Sequence, residues 1–305
     1  MPPLYPSRGE GFREPAGPGV VPVCHHVPMT SRDSATPTGR SIQLSESGER
    51  ARIIQDEHDD GWVLEIGGAV QSHVDLADPT RIRYEYLRRM ANVLDACWPP
   101  AARIRILHLG AGALTLPRYV QATRPGSVQT VVDLDRELPS LVASELPLPE
   151  VTDLTVVIGD ARDGLAHVSQ ERFDAVVLDI ATAEDAAAHL TGREYYGELL
   201  GRLTEHGVLL VNIGDDAGLR FLGRQSGALE EAATEAGLTG AWALADANLV
   251  ERLDTGNVVL AAGGALAAQG PEELRSRLLA AGPHPAAVLD PSQTAALAAR
   301  ITNLP

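Results

Sequence analysis

Three aspartates each stand within two residues of the end of a short run rich in valine, leucine and isoleucine. They are Asp133, Asp160 and Asp179. A carboxylate in such a position can accept hydrogen bonds from ribose hydroxyls or an adenine amino group, or remove a proton from a nucleophile. A single aspartate of this kind is commonly a helix N-cap or a turn residue. Three of them in the same register predict a pocket for a nucleoside.

A glycine-containing turn precedes the three aspartates. The apolar run at 104–109 is typical of a strand buried on both faces of a parallel sheet, and it ends at Gly110 and Gly112. Glycine lets the backbone approach a ligand closely. Asp133 follows Gly112 by about 20 residues, the offset expected of a carboxylate that binds ribose hydroxyls. Because a GxG turn alone is weak evidence of a nucleotide site, the prediction depends on the turn and the aspartates together.

The segments that must position these residues alternate between strand and helix patterns. Further strands are predicted at 128–132, 154–158, 173–178, 208–211, 241–244 and 257–262. Helices are predicted at 116–123, 137–145, 161–168, 191–203, 226–236, 271–281 and 291–301. This alternation predicts an α/β fold with a Rossmann-like, doubly wound and mostly parallel sheet, whose ligand edge is formed by the carboxyl ends of the strands.

Changes in composition divide the chain into four parts. Residues 1–40 are rich in proline, glycine, serine and threonine and are predicted to be a disordered leader. Residues 41–78 are predicted to form a small β-hairpin domain or three-stranded meander, which must pack on the next domain or on a second subunit to be stable. Residues 79–265 form the predicted Rossmann-like domain, opened by a helix from Asp78-Pro79-Thr80. Residues 266–305 are expected to be a helical tail.

The composition also narrows the possible partners and chemistries. The formal charge of −16 disfavours nucleic acid and anionic membranes as partners and favours a small cationic substrate. All 25 basic residues are arginine, which excludes a P-loop NTPase, a Schiff-base enzyme and a Ser-Lys hydrolase. Cys24 and Cys97 are far apart, and Cys24-His25-His26 has no further ligands nearby, so neither a disulfide framework nor a metal site is predicted. We expect a cytoplasmic protein, because no apolar stretch is long enough to cross a bilayer.

Three other features have structural interpretations. The polar, alanine-rich stretch Ile180–His189 is predicted to cover the carboxyl edge of the sheet as a lid. His108 lies inside a predicted strand and is interpreted as a buried, hydrogen-bonded histidine rather than a catalyst. Tyr195 and Tyr196 are interpreted as lying between the core and the rim of the site.

From about Ile53 to Ala262 the chain resembles the spermidine synthase family of aminopropyltransferases. The segment LHLGAG at 107–112 resembles the glycine turn of that family, and VDLD at 132–135 resembles its ribose-binding acidic stretch. GDA at 159–161 is similar to its adenine-binding step, and FDAVVLD at 173–179 to the strand that carries its catalytic aspartate. Gln71-Ser72 and Tyr84-Glu85-Tyr86 resemble its Q-S/T and Y-H-E segments near the active-site mouth. The resemblance extends the fold prediction to the class I AdoMet-methyltransferase type.

This resemblance implies a function and a role for each matched residue. The protein would transfer an aminopropyl group from decarboxylated AdoMet, or use AdoMet, with a small-molecule amine as acceptor and no metal. The predicted roles are Asp179 as the catalytic base, Gly110, Gly112, Asp133, Asp160 and Ala161 as the nucleoside site, and Gln71, Tyr84 and Glu85 as the acceptor side. The resemblance and the small hairpin domain together predict a homodimer.

Two departures from the family pattern leave other functions open. Ala113 stands where the family has an aspartate that holds the aminopropyl ammonium group. Asp179 is followed by Ile180-Ala181-Thr182, where the family has a second aspartate. An AdoMet-dependent methyltransferase on the same scaffold and a non-catalytic nucleoside-binding homologue are therefore alternatives.

Overall fold

The computed structural model describes residues 20–21, 40–149, 152–168, 171–180 and 188–303. These residues form a nine-stranded sheet, helices on both of its faces, and a separate four-stranded antiparallel sheet. The predicted disordered leader lies outside the described residues, except for residue 40 and the two-residue strand β1, Val20–Val21, which pairs antiparallel with residues 156–157. Of the predicted lid at 180–189, residues 181–187 likewise lie outside the described residues.

The N-terminal sheet has four strands in sequential order, one more than the largest meander predicted. They are β2 (Ser41–Gln43), β3 (Arg50–Gln55), β4 (Trp62–Ile66) and β5 (Ala69–Val74). Apolar residues alternate along β3, so that Ala51 and Ile53 point inward and are fully buried. They pack in one cluster with Leu138 and Leu141 of the large domain, which supplies the partner that a small sheet needs.

The large sheet places its five parallel strands together, as predicted. Its other strands are β6 (Arg105–Leu109), β7 (Val128–Asp133), β8 (Asp153–Ile158), β9 (Phe173–Leu178), β10 (Leu203–Asp215), β11 (Trp242–Asp246), β12 (Gly256–Ala262) and β13 (Ala286–Leu289). The order is β1-β8-β7-β6-β9-β10-β12-β11-β13, with β8 to β10 parallel and the remaining pairs antiparallel. The strand order reverses between β6 and β9, which is where a doubly wound sheet opens a ligand crevice.

Helices cover both faces of this sheet. They are α1 (Glu85–Cys97), α2 (Thr115–Thr123), α3 (Glu137–Glu145), α4 (Ala161–His167), α5 (Arg193–Leu200), α6 (Arg220–Glu235), α7 (Ala247–Arg252), α8 (Gly264–Ala267), α9 (Pro271–Ala281) and α10 (Pro291–Thr302). Helices α1, α2 and α9 pack together with Ile106 of β6, whereas α4, α5, α6 and α10 pack with Leu107 and Leu109. No helix among the described residues combines the length and apolar character needed to cross a membrane.

Three sequence predictions need correction. The first helix begins at Glu85 and not near Pro79, because the Asp78 carboxylate accepts hydrogen bonds from the Thr80 amide (3.0 Å) and hydroxyl (2.6 Å) and closes a turn instead. The predicted helix at 191–203 ends at Leu200, and Leu203 already begins β10. The C-terminal tail is not purely helical, since β13 pairs antiparallel with β11 and completes the sheet.

Candidate functional site

The carboxyl ends of β6, β7 and β9 meet around the glycine turn. The Gly110 amide donates to the Val132 carbonyl (2.8 Å), and the Asp179 amide donates to the Leu109 carbonyl (2.9 Å). The order β8-β7-β6-β9 places Asp133 and Asp160 on one side of the turn and Asp179 on the other. The structure therefore brings the predicted glycines and aspartates to one edge of the sheet.

Close packing explains why the turn contains glycine. Gly110 has φ of 103°, and a Cβ atom built on it would lie 2.2 Å from the carbonyl oxygen of Asp179. Gly112 has φ of 49°, and its Cβ would lie 2.9 Å from the hydroxyl of Ser72. The same hydroxyl accepts a hydrogen bond from the Ala113 amide (3.3 Å), so β5 of the small sheet closes one wall of the turn.

Asp133 is held by backbone amides on both sides. Its Oδ2 accepts from the Ala111 amide (2.8 Å) in the glycine turn, and its Oδ1 accepts from the Asp135 amide (2.9 Å). Burial raises the pKa of Asp133 to about 6, even though these two hydrogen bonds act in the opposite direction. The carboxylate is thus fixed in orientation beside the turn, with lone pairs left for further donors.

Asp160 is the N-cap of α4, directly before the buried Ala161. Its Oδ1 accepts from the Arg162 amide (2.9 Å), and its Oδ2 lies 2.7 Å from Nε2 of His189. Burial acts to raise the pKa of Asp160, but the hydrogen bonds from His189 and the backbone outweigh it and the pKa is lowered. His189 was missed from the sequence, because it belongs to the segment predicted only as a lid.

Asp179 lies inside the site, and two side chains hold its carboxylate among the described residues. Its Oδ1 accepts from Nδ2 of Asn212 on β10 (2.9 Å), and its Oδ2 accepts from the Tyr86 hydroxyl on α1 (3.3 Å). Burial raises the pKa of Asp179 to about 6, partly offset by these two hydrogen bonds. The Asn212 amide oxygen is buried and has no partner among the described residues. A carboxylate poised near neutral pH is suited to accepting a proton.

The residues predicted for the acceptor side differ in burial and in their contacts. Glu85 is exposed and forms an ion pair with Arg89 one helical turn further on (2.9 Å), whereas Tyr86 reaches Asp179. Tyr84 packs in a tilted arrangement against Tyr86, with ring centroids 6.3 Å apart. Gln71 is partly buried on β5, next to the Ser72 that contacts the turn. Tyr86 precedes the buried Met90 and Val93 by four and seven residues, and this helical spacing could have identified it.

A cleft of about 320 Å³, counted with its open mouth, lies beneath the glycine turn. The described residues that line it are Ser72, Leu87, His108, Gly110, Ala111, Gly112, Ala113, Thr115, Leu116, Pro117, Val177 and Asp179. Among them Asp179 carries the only carboxylate. The cleft therefore combines one acid with largely apolar walls, which suits a ligand with a single positive charge next to an aliphatic portion.

One group of residues has the composition of a metal site but is already neutralised. Asp56, Asp59 and His73 bring their ligand atoms within 4.8 Å of one another. Asp56 forms an ion pair with Arg83, and Asp59 lies 3.5 Å from Arg81. Two guanidinium groups at these carboxylates would repel a cation, so we assign this cluster to joining the small sheet to the segment before α1.

The fold and this edge of the sheet define a Rossmann-like α/β protein of the methyltransferase type with an N-terminal antiparallel sheet. No family model matches the sequence. The chain is 26% identical over 152 residues to a polyamine aminopropyltransferase of Chromobacterium violaceum, a match that covers 49% of this chain. It spans about half the length of that curated relative, 56%.

Solved structures of spermidine synthases are similar to this chain in fold. A probable spermidine synthase from Corynebacterium glutamicum superposes with a TM-score of 0.69 at 25% identity, over 86% of this chain and 94% of that one. A spermidine synthase in complex with the transition-state analogue AdoDATO superposes with a TM-score of 0.53 at 15% identity, over 81% and 85%. These comparisons confirm the predicted resemblance: the chain is similar to an aminopropyltransferase in sequence and to spermidine synthases in fold.

Proposed function

We propose that this protein is a transferase that moves an aminopropyl group from decarboxylated AdoMet to a small amine acceptor, a reaction of polyamine synthesis. The observation that carries the proposal is the position of Asp179, at the β6–β9 crevice and in the cleft beneath the glycine turn. A carboxylate with a pKa of about 6 at this position is suited to act as the base that deprotonates the amine.

The reaction is a displacement at a carbon bonded to sulfur. The amine nitrogen forms a bond to the methylene carbon next to the sulfonium, the carbon–sulfur bond breaks, and methylthioadenosine leaves with the electron pair. The proton lost by the amine passes to Asp179, which Tyr86 and Asn212 hold in place. Because the sulfonium is already a good leaving group, the protein's main task is to align the two reactants.

The nucleoside would lie across the ends of β7 and β8. Asp133 would accept hydrogen bonds from the ribose, and Asp160 with the adjacent Ala161 would bind the adenine. Gly110 and Gly112 would let the backbone approach the ligand closely. In the structure, Nε2 of His189 is hydrogen-bonded to Oδ2 of Asp160. An adenine amino group would share or replace that contact. Gln71, Tyr84 and Glu85 remain proposed as the acceptor side of the mouth.

Methyl transfer from AdoMet on the same scaffold is a second candidate. The observation that favours it is Ala113, which is buried at the turn and presents no carboxylate to repel the carboxylate of AdoMet. A non-catalytic nucleoside-binding protein is the outcome expected if binding occurs without turnover.

Calorimetry with decarboxylated AdoMet, AdoMet and methylthioadenosine tests these functions, followed by mass spectrometry of amines incubated with each donor. Tighter binding of decarboxylated AdoMet and a mass gain of one aminopropyl group support the proposal. Preference for AdoMet and a mass gain of one methyl group would replace it with methyl transfer. Binding without either product would leave a nucleoside-binding protein. Light scattering of the purified chain and cell fractionation test the homodimer and the cytoplasmic location that we also propose.

A further inference from the structure

His108 lies deeper in the same cleft as Asp179. It is 2% exposed, and it pairs in register with Val177 on the neighbouring strand β9. Side chains at alternate positions of a strand share a face, so Val177 and Asp179 lie on the same side of the sheet, about 7 Å apart along it. His108 is therefore one step below Asp179 on the face that lines the cleft.

The hydrogen bonds of Gln129 fix which nitrogen of His108 carries the proton. Nε2 of Gln129 donates to the Pro117 carbonyl (3.0 Å), which can only accept. Oε1 of Gln129 therefore faces Nε2 of His108 (3.0 Å) and accepts a hydrogen bond from it, so Nε2 carries the proton. In this neutral tautomer, Nδ1 carries a lone pair. Burial lowers the pKa of His108 to about 4, so the ring stays neutral at physiological pH.

Nδ1 of His108 is available to a ligand. His108 lines the cleft, and its one hydrogen bond to a described residue is made by Nε2. Nδ1 makes none, yet it is not among the fully buried polar atoms without a partner, so it is not sealed inside the protein. Around it the cleft wall is aliphatic, with Leu87, Leu116 and Val177. A hydrogen-bond acceptor without charge thus stands at the apolar end of a cleft whose mouth carries a carboxylate.

We propose that this cleft binds an acceptor with one ammonium group and, three or four carbons away, an uncharged hydrogen-bond donor such as a hydroxyl. The amine would meet Asp179, and the hydroxyl would donate to Nδ1 of His108. This inference rests on the proposed transferase function and specifies its substrate class. It also gives His108 a part in binding, which the sequence interpretation as a merely structural histidine did not.

A diamine is disfavoured by the same geometry. Its second ammonium group would lie among aliphatic side chains against a neutral imidazole, with no carboxylate among the described residues of the cleft other than Asp179. Burying such a charge without a counter-ion is costly. The far amine would have to lose its proton before binding, and an alkyl amine has a pKa of about 10.4.

The test compares three amines of equal carbon number: 4-amino-1-butanol, butylamine and 1,4-diaminobutane. Their affinities for the whole chain are measured by calorimetry from pH 7 to pH 9, with and without methylthioadenosine. At pH 7 we expect the amino alcohol to bind about 3- to 10-fold more tightly than butylamine, because it makes one more neutral hydrogen bond. We expect the diamine to bind at least about 10-fold more weakly than the amino alcohol, with the gap closing about 10-fold per pH unit.

The variant His108→Leu should bind the amino alcohol and butylamine equally, with methylthioadenosine affinity within about twofold of wild type. Equal binding of these two amines by the wild-type chain, or tighter binding of the diamine at pH 7, would overturn the subsite; neither result depends on the folding of a variant. Failure of methylthioadenosine to bind would instead overturn the proposed function. In that case the affinities of the three amines without nucleoside still show whether the proposed subsite exists.

Discussion

The two halves of the site hold their carboxylates by different means. Asp133 and Asp160, on the nucleoside side, accept hydrogen bonds from the backbone amides of Ala111, Asp135 and Arg162. Asp179, on the acceptor side, is held by Tyr86 from α1 and Asn212 from β10. The nucleoside side is therefore held mainly by backbone amides, whereas the acceptor side is held by side chains from other elements. This difference allows the acceptor side to change while the nucleoside side stays intact.

The largest effect is expected from Asp179→Asn. Without the base, aminopropyl transfer should fall by a factor of about 100 to 10,000, because general bases contribute that much. Methylthioadenosine affinity should stay within a few fold, since Asp179 acts on the amine. Steady-state kinetics and calorimetry on the same preparation measure both quantities. Activity above about a tenth of wild type would show that Asp179 is not the base.

The converse effect is expected from Asp133→Ala. It removes the acceptor of the Ala111 and Asp135 amides and the proposed ribose ligand, so methylthioadenosine affinity should fall at least about 10-fold. Affinity for butylamine in the absence of nucleoside should remain within about twofold. A loss of amine affinity as large as the loss of nucleoside affinity would show that the two halves are not independent.

A smaller effect is expected from Tyr86→Phe. Activity should rise with pH through about 6, because Asp179 must be ionised to accept a proton. The Tyr86 hydroxyl lowers the pKa of Asp179, so its removal should move the midpoint of kcat/KM to higher pH. Tyr195→Phe is the matched control, because the Tyr195 hydroxyl is buried without a partner among the described residues. An unchanged midpoint in Tyr86→Phe would show that the Tyr86 hydroxyl does not affect the pKa of the base.

The smallest effect is expected from His189→Ala. It frees Oδ2 of Asp160, so methylthioadenosine affinity should rise about two- to fivefold if adenine uses that oxygen. His206→Ala, which removes an exposed histidine elsewhere on β10, should leave the affinity unchanged. A fall in affinity with His189→Ala would indicate that His189 binds the nucleoside together with Asp160. Calorimetry on the three proteins gives the comparison.

The parallel core could be predicted because its signals are local. Each strand from β6 to β9 is rich in valine, leucine or isoleucine, and its end is marked by a glycine or an aspartate within two residues. The start of β10 was missed because Gly207 interrupts the apolar pattern. There the backbone requires glycine, since a Cβ would lie 3.0 Å from the Phe173 carbonyl oxygen. Gly207, which interrupts the apolar pattern, is therefore a point of close packing within β10.

The partners of the site residues could not be predicted in the same way. Tyr86 is 93 residues from Asp179 in sequence, and Asn212 is 33 residues from it. His189 is 29 residues from Asp160. None of these pairs shares a helix or strand, so no periodicity connects them. The aspartates were found because each stands at or just after the end of its own strand, but what they contact depends on tertiary packing.

The burial of Asp179 sets activity against thermodynamic stability. Its pKa is about 6 in the folded chain, above the value of about 3.9 for an unfolded aspartate. Folding is therefore favoured by the protonated form, and this stabilisation is lost as the pH rises from about 4 to about 6. The ionised form that accepts a proton is less stable by up to about 3 kcal/mol. Selection for heat resistance at neutral pH, applied without selection for turnover, would favour replacing this carboxylate with an uncharged isostere.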